Sequence, residues 1–213
     1  MDMPDNGMTE LDLLVGSMFT ALPDEDRERY EAERAWLIDV QRLLAEEGVE
    51  VDLLANPGAE IWEGGIERYH DLFLLRLIAA YLEQGRDIQP LLAPDFEFDE
   101  EPDPLLAAIW EDEQSTRFPH LIKHQGEGGY YLPVDFPEPI WIEEEPEGDE
   151  DEPIEETVVS FGSSPALQRE LTDLEAMIDQ AGIKPGHPVR RCLSVLREAA
   201  DVSVANGLPI IVW

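Results

Sequence analysis

Apolar residues recur at helical spacing through most of the chain, and at strand spacing in its third quarter and at its end. Thr9 is placed to cap a first helix that carries Leu11, Leu14, Val15, Met18, Phe19 and Leu22 on one face, and Pro23 interrupts it. Asp24, Glu25 and Asp26 open a second helix to about Glu47, where first-turn acids complement the helix dipole. Tyr30, Trp36, Leu37, Val40, Leu43 and Leu44 form its stripe, and Gly48 stops it. VEVDLLANPG reads as a connector or short strand. The spacing predicts a third helix from about Gly65 to Gln84, apolar on nearly all sides between Tyr69 and Leu82 and therefore central. Pro90, Pro94, Pro102 and Pro104 exclude a regular helix across DIQPLLAPDFEFDEEPDP, and a short helix follows from about Pro104 to Glu113.

Strand-like sequence then gathers between Phe118 and Ser164. HLIKH and YYLPVDF flank QGEGG, which predicts a hairpin, with Pro133 marking an edge strand or a bulge. PIWIEE and ETVVSF supply two more strands. In FGSSPALQREL, Ser164 is the expected cap and Pro165 the first helical residue of a helix to about Gln180. A last helix, about Pro188 to Asn206, is closed by Gly207, and LPIIVW is an apolar strand able to join the sheet. The expected fold is α+β: a helical N-terminal layer, a mainly antiparallel sheet of four or five strands, and two C-terminal helices packed on it. A single domain over 1–213 is expected, with 1–117 mostly helical and 118–213 holding the sheet and the last helices.

Charge changes this picture most. The chain of 213 residues carries 49 Asp and Glu against 14 Lys and Arg, a net charge of −35. All but six of the acids precede residue 157, so the last quarter is close to neutral. Residues 143–156 hold ten acids in fourteen positions, interrupted by Pro146, Gly148 and Pro153, and read as a solvated loop. Such a field attracts basic proteins and repels nucleic acid and anionic lipid. The expected partner is a basic protein, with no direct contact to nucleic acid and no membrane. The longest apolar run, FLLRLIAAYL, is short for a bilayer and contains Arg76. The first residues are acidic where a signal peptide needs basic ones, and the single Cys192 excludes an internal disulfide, so a cytoplasmic location is expected.

Candidate chemistry is sparse. His120 and His124 stand at i and i+4, but a strand would set them roughly 13 Å apart, too far to share a metal. The QGEGG loop lacks the phosphate-binding signature, FGSSP is not a nucleophile elbow, and the acidic run lacks the calcium-loop pattern. No catalytic residue, cofactor or metal is assigned, and the protein is expected not to be an enzyme. Two acidic segments contain aromatic residues that a purely solvated surface does not need: Phe96, Phe98, Trp110 and Trp141. The expected partner-binding residues are therefore Asp95, Glu97, Asp99, Glu100, Glu101 and Asp103 in one segment. In the other they are Trp141, Glu143, Glu144, Glu145, Glu147, Asp149, Glu150, Asp151 and Glu152.

Leu121, Ile122 and His124, then Gly129 to Phe136, then Gly162 to Ser164 with Leu167, Glu170 and Leu171 form a pattern. It resembles a loosely defined group of small acidic bacterial proteins of unknown function. Gln125 and Gly126 stand where that pattern has a Ser-Asp pair. The resemblance implies no activity. In size and acidity it is similar to immunity proteins that neutralise toxins. The leading expectation is a non-catalytic binding protein of immunity type, acting on a basic toxin or nuclease. The alternatives are a DNA mimic that occupies a nucleic-acid-binding site, and a metal-dependent enzyme.

Overall fold

Leu11, Leu13 and Val15 alternate with less buried neighbours, and this period of two makes strand β1 (Leu11–Gly16) out of residues expected to be helical. The computed structural model describes residues 10–22, 24, 26–93, 96–98, 101–126, 128–144 and 157–213. β1 lies between two antiparallel neighbours, β2 (Glu60–Ile66) and β6 (Ile210–Val212). β3 (Gly129–Leu132) pairs antiparallel with β6 and parallel with β5 (Thr157–Ser163), and β4 (Ile140–Glu144) pairs antiparallel with β5. Among the described residues the sheet has six strands in the order β2-β1-β6-β3-β5-β4.

Helices lie on both faces. α1 (Arg27–Glu46), capped by Asp26, brings Leu37, Val40 and Leu44 into one core with Leu132, Ile142 and Phe161 of the sheet. The other core packs β1 under α2 (Tyr69–Glu83), α3 (Pro104–Trp110), α5 (Ser164–Gln180) and α6 (Pro188–Asn206). α2 has the buried flank residues expected of a central helix, Leu72, Leu75, Ile78 and Ala79 among them. Gly207 ends α6 in the left-handed conformation, φ 65°, which turns the chain into β6. Cys192 is buried in α6, where burial raises its thiol pKa, so it stays a neutral core residue.

The structure departs from the expected layout at several points. The first predicted helix is replaced by β1, and Gly65 and Ile66, the first two residues of the predicted third helix, belong to β2. Both strands are held by the ladder Leu11↔Ile66 to Val15↔Trp62. Among the described residues the sheet has six strands rather than four or five; it is mainly antiparallel as expected, but mixed, because β5 returns beside β3 in the same direction. HLIKH is no hairpin strand: Pro119–Ile122 is a single helical turn, α4, with Pro119 at its start. β3 stops before Pro133 and is internal to the sheet, so this proline ends a strand and does not mark an edge. The cap of α5 is Ser163, one residue earlier than expected, its hydroxyl accepting from Ala166 N at 3.1 Å.

Candidate functional site

A four-residue helix cannot nucleate alone, since fixing a turn costs more than its first hydrogen bond returns. α4 exists because two buried side chains, a carboxyl and a guanidinium, hold its ends. Glu170 of α5 accepts from His120 N at 3.0 Å and from Leu121 N at 2.9 Å. Arg76 of α2 donates through Nε to Leu121 O at 2.8 Å and through a guanidinium nitrogen to His124 O at 2.7 Å. The Glu170 carboxyl sits at the N-terminus, where it accepts free amides, and the Arg76 cation sits at the C-terminus, where it matches the dipole of the turn. Burial pushes the Glu170 carboxyl up to about 8, against the two amide bonds that favour its ionised form. The chain passes Arg76 closely at Gly126, φ 78°, where a Cβ would overlap the guanidinium.

The two histidines are consumed by the same region. His120 Nδ1 accepts from Ser163 N at 3.0 Å, so its proton lies on Nε2, which donates to Phe136 O at 2.9 Å. His124 Nδ1 accepts from Gly126 N at 3.3 Å and Nε2 lies 3.2 Å from Tyr130 O. Its ring stacks on Tyr131 with centroids 4.0 Å apart. Burial, and then the nearby Arg76 charge, lower the His124 pKa to about 3; burial also lowers that of His120. Both are neutral packing residues, His120 on the helical turn α4 and His124 just after it, and this replaces the strand geometry expected for them. Among the described residues no group of three or more His, Cys, Asp or Glu is placed to hold a metal. The amides at the start of α5 are spent on His120 and on the Ser163 hydroxyl, so FGSSP is sealed inside the fold.

On the outer side of α4 a cleft of about 830 Å³ opens. Phe73 and Arg76 of α2 and Trp110 and Asp112 at the end of α3 form one wall. Lys123, His124 and Gln125 follow α4, and Glu138, Pro139 and Trp141 come from the entry to β4. Trp110 is fixed by its indole N–H, which donates to Ile122 O at 2.9 Å. Lys123 bridges the two sides, 2.6 Å from Asp112 Oδ1 and 3.1 Å from Glu138 Oε2. Phe73 continues into an aromatic group with Phe98, Phe96 and His70, the Phe73–Phe98 centroids lying 6.3 Å apart and the Phe96–Phe98 centroids 5.1 Å.

Described parts of both acidic segments reach the cleft: Phe98 packs on its Phe73, and Trp141 lines it. Of the first, Glu97 and Glu101 are exposed. Asp103 spends both carboxylate oxygens within the fold, on Leu105 N and the Tyr81 hydroxyl, each at 2.8 Å. Of the second, Trp141 and Glu143 are exposed and share the outer side of β4, and Glu144 ends that strand. Asp95, Asp99, Glu100, Glu145, Glu147, Asp149, Glu150, Asp151 and Glu152 lie outside the described residues. The sequence reading missed the cleft itself, together with Lys123, Asp112, Glu138, Glu170 and Arg76. One signal was available for the last of these: an arginine in the middle of an otherwise apolar helix requires buried acceptors.

The fold and cleft define a small, strongly acidic α+β protein with a mixed six-stranded sheet and an aromatic-lined cleft that parts of both acidic segments reach. The chain belongs to the family described as "Putative DNA-mimic protein", whose family model matches residues 9–212. No curated protein and no solved structure matches it. The match spans the segments that carry the resemblance described above, and it favours the DNA-mimic alternative over an immunity-type inhibitor. It also corrects the partner expectation. A basic protein remains consistent with the charge, but leaving nucleic acid out of account does not fit a family of DNA mimics. No helix of the described residues is long and apolar enough to cross a membrane.

Proposed function

We propose that this protein occupies the DNA-binding surface of a DNA-binding protein and offers carboxylates where that surface receives phosphates. The observation that carries the reading is the family match over residues 9–212. The charge supports it. If every Lys and Arg paired with one acid, a surplus of 35 carboxylates would remain. Duplex DNA presents one negative charge per about 1.7 Å of axis, and proteins that bind it release counterions as they do so. A protein with this surplus can enter the same electrostatic site. The contact face we assign runs from Glu97 and Glu101, across the cleft, to Trp141 and Glu143. The action is stoichiometric and non-catalytic, and it takes place in the cytoplasm, where a DNA-bound partner is reached.

The test is competition. The protein is immobilised at low salt, exposed to lysate of its own host, and washed with duplex DNA. Retained proteins are then purified, and their binding to a fluorescent duplex is measured with and without the acidic protein. The expected result is release by duplex DNA and stoichiometric displacement of the labelled duplex. Retained proteins that duplex DNA does not release, or that keep the labelled duplex at saturating acidic protein, would overturn the proposal.

A further inference from the structure

We infer that the cleft between Trp110 and Trp141 receives an arginine side chain projected by the DNA-binding protein. This rests on the DNA-mimic reading for the identity of the partner, and on the cleft alone for the chemistry.

Two cations and two carboxylates line the cleft, and their accessibility differs. Arg76 is 2% exposed and already donates to two backbone carbonyls. The Lys123 side chain is 18% exposed and lies between its two acids. The side chains of Asp112 and Glu138 are 78% and 56% exposed, and Lys123 is within reach of one oxygen of each. A carboxylate accepts at both oxygens, so each has acceptor capacity left at the mouth. What a visitor meets first is thus two carboxylates flanked by two indoles, Trp110 at 37% and Trp141 at 48% exposure. The surrounding net charge of −35 draws in a cation and repels a nucleotide or other planar anion.

Aromatic faces beside carboxylates favour guanidinium over ammonium. The guanidinium is planar, weakly hydrated, stacks on indole, and carries five donors with which to span two acceptors. Trp110 is already held by its bond to Ile122 O, so its ordering cost is met within the fold. A volume of about 830 Å³ exceeds the needs of one side chain and admits the tip of the loop or helix that carries it. Arginines that contact bases and phosphates are a common feature of DNA-binding surfaces. The cleft would hold one of them while exposed acids such as Glu97, Glu101 and Glu143 engage its neighbours.

The test uses the full chain with ¹⁵N-labelled indoles and three probes: acetyl-Gly-Arg-Gly-amide, its lysine counterpart, and deoxyadenosine monophosphate. The arginine peptide is expected to shift the indole signals of Trp110 and Trp141 and to bind more tightly than the lysine peptide. Trp141→Ala, at an exposed position, should weaken the arginine peptide by about 3- to 30-fold. Trp141→Leu, which keeps an apolar side chain, should weaken it nearly as much. Indoles unmoved by millimolar arginine peptide would overturn the inference, as would a nucleotide that shifts them when the peptide does not. Equal binding by wild type and Trp141→Ala would also overturn it. If the peptide binds as expected but no captured protein is displaced by duplex DNA, the DNA-mimic reading fails and the arginine cleft stands. If displacement works equally well for Trp141→Ala and the peptide does not bind, only the cleft inference fails.

Discussion

Glu170 Oε1 accepts a hydrogen bond from His120 N at 3.0 Å, joining α5 to a helical turn fifty residues earlier in the chain. The carboxyl is buried, and its pKa stands at about 8 against an ordinary 4.5. Between those values the folded protein holds a proton that the unfolded chain has released. Stability contributed at this position is therefore greatest below about pH 4.5 and is lost as pH rises through about 8. The full span is on the order of 5 kcal/mol. Glu170→Gln should flatten the alkaline side of the stability curve, measured by urea unfolding at pH 5, 6.5 and 8. An unchanged slope would show that Glu170 ionises normally in the fold.

His124 slopes the other way. Its folded pKa of about 3 lies below the ordinary 6.5, so the unfolded chain takes up a proton first as pH falls. Stability from this residue is present above about 6.5 and declines toward 3, by about 2 kcal/mol on reaching pH 5. Between pH 4.5 and 6.5 the two residues offset each other. His124→Asn should therefore expose the alkaline loss caused by Glu170, and Glu170→Gln the acid loss caused by His124. Thermal melts of both variants across that window check this, and parallel curves for the two would refute it.

Arg76→Leu should destabilise the protein by about 2–5 kcal/mol, since two buried carbonyls, Leu121 O and His124 O, lose their donor. The denaturation midpoint in urea measures it. A loss under 1 kcal/mol, of the order of a neutral surface change, would mean that α4 does not depend on the clamp.

Gly126→Ala tests the same clamp from the other side. Its φ of 78° disfavours a side chain, and the new methyl would meet the Arg76 guanidinium. A loss of about 1–3 kcal/mol is expected, with the signals of Arg76 and His124 the first to shift in NMR spectra. Alanine tolerated without loss would show that the loop has room to move.

Binding to the DNA-binding partner should weaken steeply with salt, because exposed charges are screened over about 8 Å at physiological ionic strength. Replacing residues 143–156 with a neutral Gly/Ser linker should reduce affinity by more than about tenfold at low salt and also reduce the salt dependence. Anisotropy titrations of wild type and variant across a salt series measure both. Identical salt slopes would move the contact away from that segment.

The helices with clear punctuation were legible one at a time. Asp26 before α1, Pro104 at the start of α3, and Pro188 and Gly207 around α6 all mark boundaries that the structure keeps. β1 and α4 were not. Leu11, Leu13 and Val15 fit a strand while Leu11, Leu14 and Val15 fit a helix, and pairing with Ile66 and Val212 decides between them. HLIKH has a strand-like composition, yet it becomes a turn of helix because Glu170 accepts its free amides at one end and Arg76 donates to its carbonyls at the other.

The same division holds for the site. Amino-acid composition by itself determined the surplus of negative charge, its concentration before residue 157, and the presence of aromatic residues among the acids. These are properties of the chain that no folding can alter. That Trp110 and Trp141 face one cleft, with Lys123 spanning Asp112 and Glu138 across it, was decided only by tertiary structure. The reason is physical: α3, the turn after α4 and the entry to β4 meet only once the sheet and its clamped helical turn have formed. Nothing in the local spacing of these residues encodes that meeting.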